Sequence, residues 1–165
     1  MAGYKGHIAG AVGVNMAYVL TLTVLPWDIL DNTGGLFASW QFLAALFVIS
    51  MLFGLWPDID TNSRGQDIFF GAAFSANIIL IWQGYIEASA YLGLMAMTPI
   101  IGKHRGWTHS KWAMVFIPLP VVLVSYFYRP EMLVTALVIY GAAVSGYFSH
   151  LLLDGRITRL IRVKT

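Results

Sequence analysis

All four histidines of this 165-residue chain, and three of its aspartates, lie at the borders of apolar segments, where their side chains could share one polar site. The segment HRGWTHS at positions 104–110 holds two of the histidines, five residues apart. His150 and Asp154 are four residues apart, so in a helix they would lie on one face about one turn apart. This spacing is typical of two ligands of a divalent metal, or of a carboxylate that orients a ligating imidazole.

The sequence Pro-Asp-Ile-Asp at positions 57–60 ends the second apolar segment. Proline favours a helix stop there, and an extended chain would point the side chains of Asp58 and Asp60 to the same side. The two histidines of HRGWTHS need a loop or a helix start to converge. Thr108 or Ser110 could supply the cap of such a helix.

The chain has no cysteine, so any bound metal would be held by imidazole and carboxylate. These ligands suit zinc first, with manganese or iron as alternatives, and a bridging carboxylate could join two ions. A metal-activated water would be the nucleophile, and Arg105 could bind a phosphate through paired hydrogen bonds. The predicted metal ligands are His7, Asp58, Asp60, His104, His109, His150 and Asp154. Catalytic roles are predicted for Asp60, His104 and Arg105.

The elements that must position these groups are membrane helices. Hydrophobic residues make up 58% of the chain and charged residues only 11%, against about 25% charged in soluble domains. The mean hydropathy is +0.71. The net charge of +2 is small, and the basic residues form no aromatic-rich patch, so nucleic-acid binding is disfavoured. The first apolar segment lacks a clean cleavage pattern and is interpreted as a retained span.

Six apolar segments predict an all-α, polytopic helical membrane protein that forms a single integral membrane domain over residues 1–165. The region 68–102 is too long for one straight crossing, and Gln83-Gly84 with Glu87 predicts a break. We interpret it as two short spans, with one span plus a re-entrant segment as the alternative. Pro118 and Pro120 predict a kink in the fifth segment. The segments lie at about 8–25, 36–56, 68–83, 86–101, 112–128 and 132–153.

Six crossings place both termini on one side of the membrane, and every loop is then assigned by alternation. Nine of the ten basic residues fall on the terminal side, and only Arg129 falls on the other. The positive-inside rule therefore predicts that this side is cytoplasmic. The same alternation puts every candidate ligand on the cytoplasmic side. A single crossing over 68–102 would instead split the candidate ligands between the two faces.

Two further patterns concern the surfaces of the helices. Gly10, Ala11, Gly13 and Ala17 predict a face of the first helix that another helix approaches closely. Aromatic residues near segment ends are typical of anchors at the membrane interface. This interpretation covers Trp40, Trp56, Trp82, Trp107 and Trp112.

Three stretches of the chain carry a resemblance to a known family. They are LWPDID at 55–60, HRGWTHS at 104–110 and GYFSHLLLD at 146–154, and His7 with the small residues after it resembles the first motif of the same family. The chain is thereby similar, over nearly its whole length, to the YdjM-like family of prokaryotic inner-membrane proteins, whose predicted activity is metal-dependent hydrolysis. The resemblance implies a multi-pass protein of the cytoplasmic membrane with a metal site at these positions.

The leading hypothesis is a metal-dependent hydrolase with one or two divalent ions, a phosphoesterase that acts on a lipid or lipid-linked substrate at the cytoplasmic interface. The alternative is a non-catalytic adaptor or partner subunit in which the His/Asp cluster is a structural metal site. A small transporter ranks last, because only Glu87 and Asn77 approach the bilayer midplane. Membrane lipids are the expected partners, and association with itself or with another protein is left open.

Overall fold

The computed structural model describes residues 3–24, 35–59, 64–101 and 107–155, and within these ranges it is helical, without a β-strand. This confirms the predicted all-α class. Three short 3-10 turns, Leu36–Ala38, Trp56–Asp58 and Pro130–Met132, border the longer helices. The α-helices in these described ranges are α1 (Tyr4–Val24), α2 (Trp40–Leu55), α3 (Arg64–Trp82), α4 (Ile86–Ile101), α5 (Lys111–Phe116), α6 (Leu119–Tyr128) and α7 (Leu133–Leu153).

Five helical stretches in the described part of the chain are long and apolar enough to cross a membrane. Helix α4 has 16 residues and is shorter than these. This length agrees with the prediction of two short spans between 68 and 102. The five stretches are Tyr4–Val24, Trp40–Asp58, Arg64–Trp82, Lys111–Tyr128 and Pro130–Leu153.

Helices α3 and α4 form an antiparallel hairpin, with the break where Gln83 and Gly84 predicted it. Gly84 has a positive φ of 83°, which glycine adopts without steric cost. The Ser89 hydroxyl donates to Asn77 Oδ1 at 2.7 Å. These two residues are equally distant from residue 83, so the helices run side by side in opposite directions. The hairpin therefore returns to the end of the bundle from which it started, as the two-span interpretation requires.

The fifth apolar segment bends where its prolines predicted. Helix α5 ends at Phe116 and α6 begins at Leu119. Pro118 and Pro120 lack the amide hydrogens that a continuous helix would use, so the backbone ladder is interrupted between the two helices.

Helices α1, α2 and α7 form the centre of the bundle. The buried side of α1 has a spacing of four residues: His7, Ala11, Asn15 and Val19. Of the predicted small-residue face, Gly10 and Ala11 do pack, whereas Gly13 and Ala17 are exposed. The prediction was wrong at these two positions because the polar Asn15, not the small residues around it, belongs to the contacting side.

Small residues let the three central helices approach closely. A Cβ added at Gly54 would lie 2.8 Å from the Cβ of Ala11, and one added at Gly146 would collide with the Ser50 carbonyl. The Ser50 hydroxyl donates to the Ala11 carbonyl at 3.2 Å, which joins α1 and α2 through a hydrogen bond in the apolar interior. The central helices are therefore fixed in register by steric fit and by polar contacts.

The five tryptophans that were predicted to anchor at the membrane interface divide into two groups. Trp40, Trp82 and Trp112 lie near helix ends and are 72%, 87% and 71% exposed, in agreement with the interfacial interpretation. Trp56 is fully buried and belongs to the core, and Trp107 packs against it with the ring centroids 5.7 Å apart. The interfacial interpretation was therefore wrong for Trp56, since a position at a segment end does not reveal that neighbouring helices cover it.

Candidate metal centre

Five of the predicted ligands come together at one end of the bundle, each at a helix terminus. His7 lies in the first turn of α1, Asp58 in the 3-10 turn after α2, and His109 in the turn before α5. His150 and Asp154 lie at the end of α7. Residues more than 140 positions apart thus share one site, because four helices begin or end at this level.

The backbone around Asp58 differs from the extended chain expected for it. Asp58 lies in the turn Trp56–Asp58, and the Ile59 amide donates to the Trp56 carbonyl at 3.4 Å. Pro57 has no amide hydrogen to continue α2, which is the physical reason for the predicted stop. Gln66 Nε2 then donates to the Ile59 carbonyl at 2.9 Å and joins the start of α3 to this turn.

The tightest part of the cluster contains two carboxylates and two imidazoles. One potential ligand atom from each of Asp58, His109, His150 and Asp154 lies within 4.8 Å of the other three. His109 Nε2 is 3.2 Å from Asp58 Oδ1, 3.6 Å from Asp154 Oδ2 and 3.3 Å from His150 Nε2. His150 Nε2 is 3.5 Å from Asp154 Oδ2 and 3.7 Å from Asp58 Oδ1.

These distances match the spacing of ligand atoms around a small metal ion. Ligands about 2.1 Å from a zinc ion at tetrahedral angles are separated from one another by about 3.4 Å. Five of the six distances between the four ligand atoms lie between 3.2 and 3.7 Å, and the sixth, between Asp58 and Asp154, is within 4.8 Å. The four side chains are therefore placed so that they could hold one metal ion.

The hydrogen bonds of His150 fix the direction of its lone pair. Its Nδ1 lies 2.8 Å from the Gly54 carbonyl oxygen, which can only accept, so Nδ1 carries the hydrogen. In the neutral imidazole, Nε2 then presents a lone pair to the centre of the cluster. A backbone carbonyl that orients an imidazole in this way is the usual support of a metal-ligating histidine.

His109 is held by the turn that precedes α5. Its Nδ1 lies 3.2 Å from the Thr108 hydroxyl, which can accept the Nδ1 hydrogen. The buried Tyr147 hydroxyl donates to the Thr108 carbonyl and so attaches this turn to α7. Ser110 accepts from the Ala113 amide at 3.0 Å and caps α5, as one of the two predicted caps.

His7 lies beside this group of four and contacts both carboxylates. Its Nε2 is 3.7 Å from Asp58 Oδ2 and 3.7 Å from Asp154 Oδ1. Its ring stacks on His150, with centroids 3.9 Å apart and planes inclined by 19°. Both nitrogens of His7, and Asp154 Oδ1, are buried and have no hydrogen-bond partner among the described residues. Buried polar atoms of this kind are rare without a bound ion or water.

The cluster is closed on most sides. The side chains of His150 and Asp154 are 0% and 1% exposed, that of His109 is 11% exposed, and that of Asp58 is 36% exposed. Two carboxylates this close repel each other unless protons or a cation lie between them. The arrangement therefore favours a cation, and Asp58 is the most exposed of the four side chains.

Three of the predicted residues, Asp60, His104 and Arg105, lie outside the described residues, and their roles stay predictions. Conversely, the sequence interpretation missed two supporting groups, the Gly54 carbonyl and Tyr147, and it proposed Thr108 as a helix cap, whereas Thr108 contacts His109. The two missed residues have a signal in the spacing, because Gly54 is four residues before Asp58 and Tyr147 is three before His150. Glycine and tyrosine in apolar segments are common, however, so their types alone carry no chemical signal.

The helices and the cluster together define a multi-pass membrane protein with a potential metal-binding His/Asp site at one end of its bundle. Residues 1–161 match the family model described as YdjM inner membrane protein. The chain therefore belongs to the YdjM family and is a multi-pass protein of the inner membrane, as its motifs predicted. No curated protein and no solved structure shows a significant match to it.

Proposed function

We propose that this protein is a metal-dependent hydrolase that cleaves a phosphoester of a lipid or lipid-linked substrate at the cytoplasmic interface. The observation that carries the proposal is the convergence of four ligand atoms, one each from Asp58, His109, His150 and Asp154, within 4.8 Å. The Asp58 side chain is 36% exposed, so it is the ligand that a small polar group would reach first.

The donor set fits a divalent ion, zinc first and manganese or iron as alternatives. Such an ion is a Lewis acid and lowers the pKa of water to near neutrality. The protein's own groups would orient the ligands of the ion and exclude bulk water from part of the site. Gly54 and Thr108 fix the two imidazoles, and the burial of His150 and Asp154 keeps bulk water away from one side of the site.

A cavity between the helices supports a lipid substrate. It has a volume of about 500 Å³ and lies between α2, α4, the α5–α6 kink and α7. Its wall includes Phe53, Tyr91, Met95 and Phe116 and is almost entirely apolar. The carbonyl of Met95 accepts from Trp56 Nε1 at 3.1 Å, and Trp56 is two residues from Asp58. An acyl chain in this cavity would lie below a headgroup at the metal centre.

The predictions from sequence supply the remaining parts of the proposal. Arg105 would bind the phosphate, His104 would assist as a catalytic group or ligand, and Asp60 would serve as ligand or general base. The cytoplasmic location rests on the distribution of basic residues, nine of ten on the side of the site.

The test is turnover by the purified, metal-loaded protein in lipid nanodiscs. Phosphate release from phosphatidic acid and lipid pyrophosphates would be followed, with fatty-acid release from phospholipids as a second assay. We expect phosphate release that stops on chelation and is lost in Asp154→Asn. Asp67→Asn is the matched control, because Asp67 is an exposed aspartate in the first turn of α3. Absence of phosphate release from these lipids would contradict the proposal.

One observation favours a second candidate, a structural metal site in a non-catalytic membrane protein. Structural zinc sites use four protein ligands, whereas catalytic sites keep a position open, and four ligand atoms converge here. That candidate predicts that chelation destabilises the protein while neither lipid assay detects turnover.

A further inference from the structure

We propose that the cluster binds two metal ions, with Asp58 and Asp154 bridging them and His7 as a ligand of the second ion. This inference rests on the proposed metal dependence but not on any particular reaction. It goes beyond the group of four side chains described above, which accounts for a single ion.

The first argument is that the two oxygens of each carboxylate face different histidines. Asp58 Oδ1 faces His109 and His150, at 3.2 and 3.7 Å, while its Oδ2 faces His7 at 3.7 Å. Asp154 Oδ2 likewise faces His109 and His150, at 3.6 and 3.5 Å, while its Oδ1 faces His7 at 3.7 Å. The ligand atoms thus form two sets, and each carboxylate contributes one oxygen to each set.

The second argument comes from the stacked rings of His7 and His150. The lone pair of an imidazole nitrogen lies in the plane of its ring. Because the two planes are inclined by only 19° and the centroids are 3.9 Å apart, the two Nε2 lone pairs lie in separate, nearly parallel planes and are poorly placed to meet at one ion. Both Nε2 atoms face the same pair of carboxylates. Ions bound in these two planes would occupy separate positions, as in two-metal sites, where the ions are about 3.5–4 Å apart.

The third argument is the set of buried atoms without partners. His7 Nε2 and Asp154 Oδ1 are buried, lack hydrogen-bond partners among the described residues, and lie 3.7 Å from each other. A single ion, bound by His109, His150 and one oxygen of each carboxylate, would leave both of these atoms unsatisfied. A second ion between them would satisfy both together, which is the condition that buried polar groups normally meet.

The two positions would differ in their ligands. The first has four ligand atoms from the described residues, whereas the second has three, from His7 and the two bridging carboxylates. The second position is therefore the one with room for a further ligand. Two divalent ions with two carboxylates carry a net charge of +2, so the ligand that this position favours is an anion such as a phosphate group.

Manganese binding tests this inference without any activity measurement. The full-length protein in detergent would be loaded with Mn²⁺, and the bound metal per protein would be counted by mass spectrometry. The electron paramagnetic resonance spectrum would be recorded in parallel. We expect two equivalents and the multiline spectrum of a spin-coupled pair, and in His7→Ala one equivalent with the spectrum of an isolated ion.

His7→Phe guards against loss of the fold, because phenylalanine keeps a ring stacked on His150 but has no ligand atom. Size-exclusion chromatography would show whether each variant is folded, and Asp67→Asn should retain both equivalents. One equivalent in the wild type, unchanged in His7→Phe, would overturn the two-ion inference and leave the proposed metal dependence in place. A spin-coupled pair that persists in His7→Phe would also overturn it, and failure of the wild type to bind either Mn²⁺ or Zn²⁺ would overturn both proposals.

Discussion

Replacement of Asp154 by asparagine should change the stability of the metal-free and metal-bound protein in opposite directions. The ligand oxygens of Asp58 and Asp154 lie within 4.8 Å of each other. Two unit charges at that distance repel by about 3–4 kcal/mol at an effective dielectric constant of about 20. Because the Asp58 side chain is 36% exposed, solvent screens part of this repulsion, so we expect Asp154→Asn to stabilise the metal-free protein by about 1–3 kcal/mol.

The thermal midpoint converts this free energy into a measurable shift. At about 2–4 °C per kcal/mol for a chain of this size, the metal-free midpoint should rise by roughly 2–12 °C. The metal should act in the other direction. Zinc at 100 times its dissociation constant stabilises the wild type by about 2.7 kcal/mol. Loss of one ligand should abolish this gain, because even loss of an outer partner weakens metal affinity about 10–100-fold.

The assay is thermal unfolding in detergent, followed by circular dichroism, with a chelator or with added zinc. Asp67→Asn is the control for removal of an exposed negative charge near the same end of the bundle. A lower metal-free midpoint in Asp154→Asn would refute the electrostatic reasoning. An unchanged zinc-dependent shift in that variant would refute the assignment of Asp154 as a ligand.

Three further predictions concern the parts of the molecule that support or orient the site. In Gly54→Ala the new Cβ would lie 2.8 Å from a side chain of α1. We therefore expect a loss of stability of about 1–3 kcal/mol and lower metal occupancy. Gly71→Ala, with no atom within 4 Å of its Cβ, should leave both stability and metal occupancy unchanged. In Tyr147→Phe the turn before α5 loses its hydroxyl support, so metal affinity measured by competition with a chelator should fall about 10–100-fold while the protein remains folded. The chain has no cysteine, so single introduced cysteines can report the orientation. Asp67→Cys should react with a membrane-impermeant maleimide only from the cytoplasmic side, and Gln83→Cys only from the opposite side. The reverse pattern would contradict the predicted orientation.

The sequence allowed the ends of the helices to be predicted better than their packing faces. Pro57, Gln83-Gly84 and the two prolines near residue 120 act through local backbone chemistry, and each break lies where it was predicted. His7 was also predicted to lie on the same side of the membrane as the distant Asp58 and His150, and it contacts both. That prediction depended only on the number of membrane crossings between these residues. These inferences needed no knowledge of which helix contacts which.

Features that depend on contacts between helices could not be predicted in the same way. Trp56 was interpreted as interfacial, because hydropathy does not show that α4 and Tyr147 cover it. Gly13 was assigned to a packing face, although the buried stripe of α1 follows Asn15. In a membrane nearly every residue of a span is apolar, so the contrast between buried and exposed faces that reveals packing in soluble helices is weak.

The cluster also depends on small residues between the central helices. The ligands lie on four separate helix ends, and no continuous segment holds more than two of them. Their distances of 3.2–3.7 Å are therefore set by how closely α1, α2 and α7 approach one another. Gly54 contributes both to helix packing and to the geometry of the site. Its missing side chain leaves room for Ala11, and its carbonyl orients His150. Packing in the apolar interior and the geometry of the site are thus one structural property of the three central helices.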